Sequence, residues 1–354
     1  MNRTKLHHIL LFLLSVSLCS VAVAAAVKDS QPLVEALRWI RAPLSSSVQY
    51  DYVMTVRVRF VIFWAGKDDV GGGYIRRGIS SNDAHQEFIQ VLFGSDPVKA
   101  TRAINRWGAG TEVDWHKEPV SIPAHEGDVT ASAFFGFMKS SRGKSVVEMQ
   151  KELKKEGEQG QHSFNGILSR VDPDQALSTI VPLQSDTDYN LHQYDVAEPI
   201  MLDRMAASEL PVRSFSGEGR CSRAGSFLAT VAELLEASLD GRPAPLSRCY
   251  VHNAQENTLT LESATPVAAL PVKVHGTDGS NVLDTTYTNL LQLEFVSTHK
   301  ENGKKAYFTI FTTAAGPLRG VPVQIRYQPN WWFQIVLNLR PESAAKLSST
   351  PPVR

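Results

Sequence analysis

The longest unbroken run of strand-forming residues is Tyr52 to Trp64, and its first part alternates. Met54, Val56, Val58 and Phe60 fall on one face and Thr55, Arg57 and Arg59 on the other, the period of two expected of a strand with one wet face. From Phe60 to Trp64 both faces are apolar, which predicts an end covered on two sides by a second layer, a ligand or a partner. The glycines and aspartates of Ala65 to Gly73 predict a hairpin turn. A return strand from Tyr74 to Ile79 and a third from Gln86 to Phe93 would complete an antiparallel meander.

Helical signals interrupt this pattern. Pro32 to Arg41 places Leu33, Leu37 and Ile40 on one side of a short helix. Asp96-Pro97 and Asp172-Pro173 each read as a helix start, because Asp accepts bonds from free N–H groups and Pro is favoured at the first helical position. The predicted helices run to Trp107 and to Ile180. Ser145 opens a charged helix through Lys155, and Pro199 to Ser208 reads as another. The strongest is Ser226 to Leu239, whose Phe227, Leu228, Val231, Leu234, Leu235 and Leu239 form one apolar face, with Gly241 at its C-terminal cap.

Thr111 to Trp115 and Val129 to Met138 read as strands. Beyond Cys249 the alternation returns at Thr258–Leu261, Val272–His275, Leu290–Ser297, Ala306–Thr313, Val321–Tyr327 and Trp331–Leu339, with Asn302-Gly303 as a tight turn. The whole predicts an α+β fold: a mainly antiparallel, curved or barrel-like sheet with a few peripheral helices. Periodicity lapses between Pro211 and Gly225. This places a boundary between an N-terminal β-rich region with helices, 27–210, and a helix plus an antiparallel β region, 211–341. A tail over 342–354 is expected to be disordered.

The N-terminus adds an address. Arg3 and Lys5, an apolar run from Ile9 to Val21 and small residues up to Ala26 match a secretory signal peptide over 1–26. The expectation is an exported protein, periplasmic or secreted. The chain beyond the leader lacks an Asn-x-Ser/Thr sequon, which leans towards a bacterial source, and has no stretch apolar enough to span a bilayer. Removing the leader removes Cys19 and leaves Cys221 and Cys249, an even number in an oxidising compartment, so a disulfide between them is expected. The competing reading makes Cys221 a thiolate activated by Arg220, Arg223 and a helix N-terminus.

The chain has 354 residues, 43% of them hydrophobic, with 36 basic and 36 acidic residues, so there is enough apolar surface for a core and no net field favouring nucleic acid. No Gly-x-Ser-x-Gly elbow, zinc helix or phosphate loop is present. The histidines are scattered, and neither a metal nor a cofactor is expected. Arg220 and Arg223, in a glycine-bearing loop before a helix, are a weak anion-binding candidate beside the plainer reading as a connector. Trp331-Trp332-Phe333, read as a strand, would make both faces aromatic. Together with the apolar end of the first strand it points to a cupped sheet around a hydrophobic, lipid-like ligand, touched by Phe60, Ile62, Trp64, Trp331 and Phe333. The function expected is a non-enzymatic exported carrier; a structural or assembly partner of the cell envelope and a hydrolase are the alternatives.

Overall fold

A computed structural model describes residues 31–60, 63–100, 105–116, 129–137, 162–172, 175–185, 187, 189–207, 212–215, 226–252, 255–276 and 282–343. The expected signal peptide, the charged helix over 145–155 and the tail from 344 onward lie outside them. Fourteen strands follow one another: β1 (Leu44–Phe60), β2 (Phe63–Ser80), β3 (Gln86–Ser95), β4 (Trp107–Trp115), β5 (Val129–Phe137), β6 (His162–Val171), β7 (Ala176–Ser185), β8 (Arg213–Phe215), β9 (Leu246–His252), β10 (Gln255–His275), β11 (Val282–His299), β12 (Lys305–Thr313), β13 (Pro322–Asn330) and β14 (Phe333–Leu339). They form one sheet in the order β8-β7-β6-β5-β4-β3-β2-β1-β14-β13-β12-β11-β10-β9. Each ladder is antiparallel and, apart from β1 with β14, joins neighbours in the chain. Strands on both sides of the 211–225 boundary therefore belong to one sheet, joined through β1 and β14. Its β9 edge comes against β6 and β7, with no ladder to them among the described residues, where Val171 of β6, Ala176 of β7 and Val251 of β9 share an apolar cluster with Cys249. The result is a nearly closed antiparallel barrel with few helices, the fold class anticipated from the alternation.

Helix α1 (residues 31–40) and helix α2 (Tyr194–Ala206) pack together on one face of β3 to β7. Leu33, Leu37 and Ile40 meet Tyr194, Met201 and Leu202 over Phe88, Leu92, Val113 and Leu168, and Ala109, Ala131 and Ala133 keep the strand surface low beneath them. Arg170 of β6 clamps α1 from below, 2.5 Å from Glu35 and 3.1 Å from Asp172, with its guanidinium over the Trp39 ring. A capping box at Asn190 and Gln193 leads the chain into α2. Pro199 thus sits inside that helix, not at its start.

Both Asp-Pro helix starts are overturned. Asp96 does accept from the Val98 amide, but residues 97–99 form only a turn and Trp107 opens β4. After Asp172, Ala176 to Ser185 is strand β7, whose Leu177 and Val181 are buried at alternating positions under the helices. A cap stabilises a helix by about 1 kcal/mol, less than the burial of two such side chains on a sheet.

Phe60 pairs with Phe63 in the first hairpin, so Ala65 to Gly73 is strand and not turn. Gly71, Gly72 and Gly73 are required there by close approach: a Cβ would meet Gly94 O at 2.1 Å, Tyr52 O at 2.3 Å and Leu92 O at 1.7 Å. Trp331 and Trp332 likewise form a two-residue turn between paired Asn330 and Phe333, so the strand expected from Trp331 starts at Phe333. Thr258–Leu261 and Val272–His275 belong to one strand of 21 residues. Pro266 and Pro271 are tolerated inside it because β9 ends opposite Leu261, leaving that side of β10 without a ladder to lose. The far halves of β10 and β11 fold back so that Val272, Val274 and Tyr287 pack with Tyr52, Val53, Leu337 and Leu339. This moves the doubly covered part of β1 to Tyr52–Thr55, all four residues being buried. At the tip Trp64 is 39% exposed.

Candidate functional site

Residues paired across an antiparallel ladder share a face. Following the registers from Glu112 of β4 puts Ile89, Ile75, Tyr50 and Ser132 on its side of the sheet. Through β1 and β14 the same face carries Val56, Ile335 and Leu337, and beyond them Ile325, Ile310, Leu293, Phe295, Leu261 and Leu259. Helix α3 (Phe227–Leu239) lies on this face. Its Leu234 and Leu235 pack on Leu259, Leu261, Leu293, Phe295 and Ile310, while its first turn is bonded to Glu112, most of the way round the sheet. One helix can touch strands so far apart in the sheet only from the concave side, so α3 lies inside the barrel.

Glu112 is what fastens it. Ser226 occupies the N-cap position of α3 but makes no side-chain cap of its own. The Glu112 carboxylate accepts instead from Leu228 N at 2.9 Å, from Ala229 N at 2.8 Å and from the Ser226 hydroxyl. This is a helix cap supplied by a distant strand. Glu112 is wholly buried, and burial pushes its pKa up to about 7 against the pull of these bonds. Two residues on, Asp114 accepts from Thr130 Oγ1 at 2.5 Å, and burial followed by the Glu112 charge raises it to about 8. His252, against the rings of Phe134 and Phe227, is held down to about 4 by burial, and its Nδ1 has no hydrogen-bond partner among the described residues.

Beneath α3 Leu259, Leu261 and Leu293 are fully buried. On β1, β2, β3, β13 and β14 the inward-facing Tyr50, Val56, Ile75, Val91, Phe93, Ile325 and Ile335 are only half-buried. The barrel thus carries an apolar wall that its own core leaves partly uncovered.

A second hollow, about 480 Å³, lies beside the start of α2 and is lined by Gly71 to Gly73, Tyr74, Asp96, Lys99, His192 and Arg340 among others. Within it His192 Nε2 is 3.2 Å from Asp96, and Lys99 pairs with Asp69 outside the lining at 3.0 Å. Burial would raise the Asp96 pKa, but the Val98 amide, His192 and Lys99 outweigh it and hold the carboxyl below its usual value.

The residues singled out from sequence are dispersed. Phe333 points inward opposite Val58 and is half-buried. Trp64 and Trp331 stand at exposed hairpin tips, Trp331 being 66% exposed. The side chains of Phe60 and Ile62, and the whole of Arg220, Arg223 and Cys221, lie outside the described residues. Arg57 and Arg59 face solvent. Cys249 packs against Val171, Ala176 and Val251. Among the described residues no cluster of His, Cys, Asp or Glu has the makings of a metal site. Glu112 and Asp114 were missed, although acids at alternate positions of an otherwise strand-forming segment are a visible anomaly.

Among comparisons with known proteins, no family model matches the chain and no curated protein matches it. Among solved structures, a beta-barrel-like protein of the domain of unknown function DUF1849 from Brucella abortus aligns over 84% of this chain and 97% of its own, with 8% identity and a TM-score of 0.41. A likeness this distant transfers neither family nor activity.

Proposed function

We propose that the barrel binds a hydrophobic, lipid-like ligand in the part of the lumen that α3 leaves open, and that the protein works after export as a binding or carrier protein without catalysis. The observation that carries this reading is the half-buried inner wall of Tyr50, Val56, Ile75, Val91, Phe93, Ile325 and Ile335. Apolar surface inside a barrel gains about 25 cal/mol per Å² when a ligand covers it. The leader-like N-terminus supports export. Native mass spectrometry of the exported protein, with extraction of co-purified lipid, tests it directly. Val91→Trp, which fills the lumen with an apolar ring, is expected to weaken binding of a fluorescent fatty acid by about tenfold, or about 1.4 kcal/mol, with the circular dichroism unchanged. A delipidated wild-type protein that binds no such probe would remove the basis of the proposal.

We also infer that the partner of Cys249 is Cys221, a bond that would bracket α3 and contribute roughly 3.5 kcal/mol by restricting the unfolded chain. Alkylation of the exported, denatured but unreduced protein is expected to label neither cysteine, and labelling of both would exclude the pair.

A further inference from the structure

In a meander the hairpin turns alternate between the two ends of the barrel, so the β1–β2, β13–β14 and β11–β12 turns all lie at one end, side by side in the sheet order. The first two touch, with Arg59 N donating to Trp332 O at 2.8 Å. This end is aromatic and exposed: Trp64, Trp331 and Trp332 at 39%, 66% and 45%, with Tyr327 and Tyr307 just behind them. It is also basic. Residues 57–66, 299–307 and 327–334 carry Arg57, Arg59, Lys300, Lys304 and Lys305 against one acid, Glu301. Lys300 is paired with Glu256, whereas Arg57, Arg59, Lys304 and Lys305 are exposed and form no ion pair among the described residues. In a chain with equal numbers of acids and bases, such a concentration at one end sets up a local positive field.

Tryptophan is costly to leave in water on a protruding turn and is the residue best suited to the headgroup region of a bilayer, where its ring is buried and its N–H stays solvated. Flanking arginine and lysine complement anionic headgroups, each worth about 1 kcal/mol near such a surface. We propose that this end of the barrel docks on an anionic lipid bilayer, with Trp64, Trp331 and Trp332 seated in the interface and Arg57, Arg59, Lys304 and Lys305 facing the headgroups. The docking rests on surface residues alone and stands whether or not the lumen holds a ligand. No helix among the described residues is long and apolar enough to cross a membrane, and the docking proposed is peripheral, through the turns alone.

The test is co-sedimentation of the purified exported chain with vesicles of phosphatidylcholine containing one part in three of phosphatidylglycerol, with pure phosphatidylcholine alongside. The wild type is expected to pellet with the anionic vesicles, to show a blue shift of tryptophan emission, and to be released by high salt. Arg57→Glu with Arg59→Glu, and separately Trp331→Ala with Trp332→Ala, should each reduce binding about tenfold or more. Unchanged thermal melts would show that these variants are folded. A wild type that stays in the supernatant, or variants that bind as well as it does, would overturn the proposal. So would a wild-type dimer in sedimentation that Trp331→Ala with Trp332→Ala makes monomeric without any vesicle binding, which would assign the tip to a second copy of the chain.

Discussion

Gly73→Ala is expected to destabilise the protein by at least about 4 kcal/mol and to prevent accumulation of folded chain. The backbone of β2 passes between β1 and β3 at Gly71 to Gly73, and a Cβ on Gly73 would lie 1.7 Å from Leu92 O and 2.7 Å from its carbonyl carbon. The obstruction is backbone in a paired neighbouring strand, so relief requires breaking the β2–β3 ladder, whose register couples Gly73 to Phe93 and Gly72 to Gly94. Next to this crossing Tyr52 is wholly buried, with an edge-on contact to Phe93 and a hydrogen bond to Pro322 O, and any shift would disturb both. Gly136→Ala supplies the comparison, because a Cβ there meets nothing within 4 Å. It should change stability by less than about 1 kcal/mol. Urea denaturation of the two variants separates them, and a Gly73→Ala protein as stable as Gly136→Ala would mean that the strands do not approach so closely.

Stability is expected to fall by about 2 to 3 kcal/mol between pH 6.5 and 8.5, a range in which most proteins vary little. Glu112 and Asp114 keep their protons in the folded state up to about 7 and about 8, while their ordinary values are 4.5 and 3.8. The folded chain therefore binds more protons than the unfolded one over these intervals, and stability declines as pH rises through them. His252 works the other way. Its folded value of about 4 against an ordinary 6.5 means that its contribution rises with pH up to 6.5, which offsets one of the two acids in that range. Above pH 6.5 only the acids remain, with roughly two pKa units left between them at about 1.4 kcal/mol each. Asp114→Asn should flatten the profile and leave the variant more stable than wild type at pH 8.5. Glu112→Ala should instead lose about 3 kcal/mol near pH 6.5, since it orphans the Ser226 hydroxyl and two N–H groups of α3, and less at pH 8.5, where the wild type has already lost part of the Glu112 contribution. Thermal melts across pH 5 to 9 decide the matter, and a wild-type profile that is flat above pH 6.5 would show that Glu112 and Asp114 are ionised in the fold.

These two carboxylates also mark how far the candidate site was legible. Their alternation with Thr111 and Val113 was open to view, but nothing in the strand shows that its acid face turns inward. That follows from α3, whose first turn needs an acceptor and whose own Ser226 does not supply one. The aromatic tip was legible as a cluster and misplaced as a wall. Trp331 and Trp332 were assigned to opposite faces by the period of a strand, and a two-residue turn has no such period.

The chain by itself determined the kind of fold. Alternation over two residues and the apolar stripe from Phe227 to Leu239 are local, because burying one face of a strand or helix constrains only residues two, three or four apart. The amphipathic helix, the strands expected over Val129 to Met138 and Ala306 to Thr313, and the turn at Asn302-Gly303 followed from that. Only the tertiary structure decided which strands meet. The pairing of β1 with β14, the packing of Val272 and Tyr287 on Tyr52 and Val53, and the Glu112 cap on α3 join residues more than a hundred positions apart. So did the reassignment of the sequence after Asp172-Pro173 from helix to strand. A cap is worth about 1 kcal/mol wherever it occurs. The side-chain burial gained when a neighbouring strand and two helices cover the same segment is larger, and no property of the segment alone announces it.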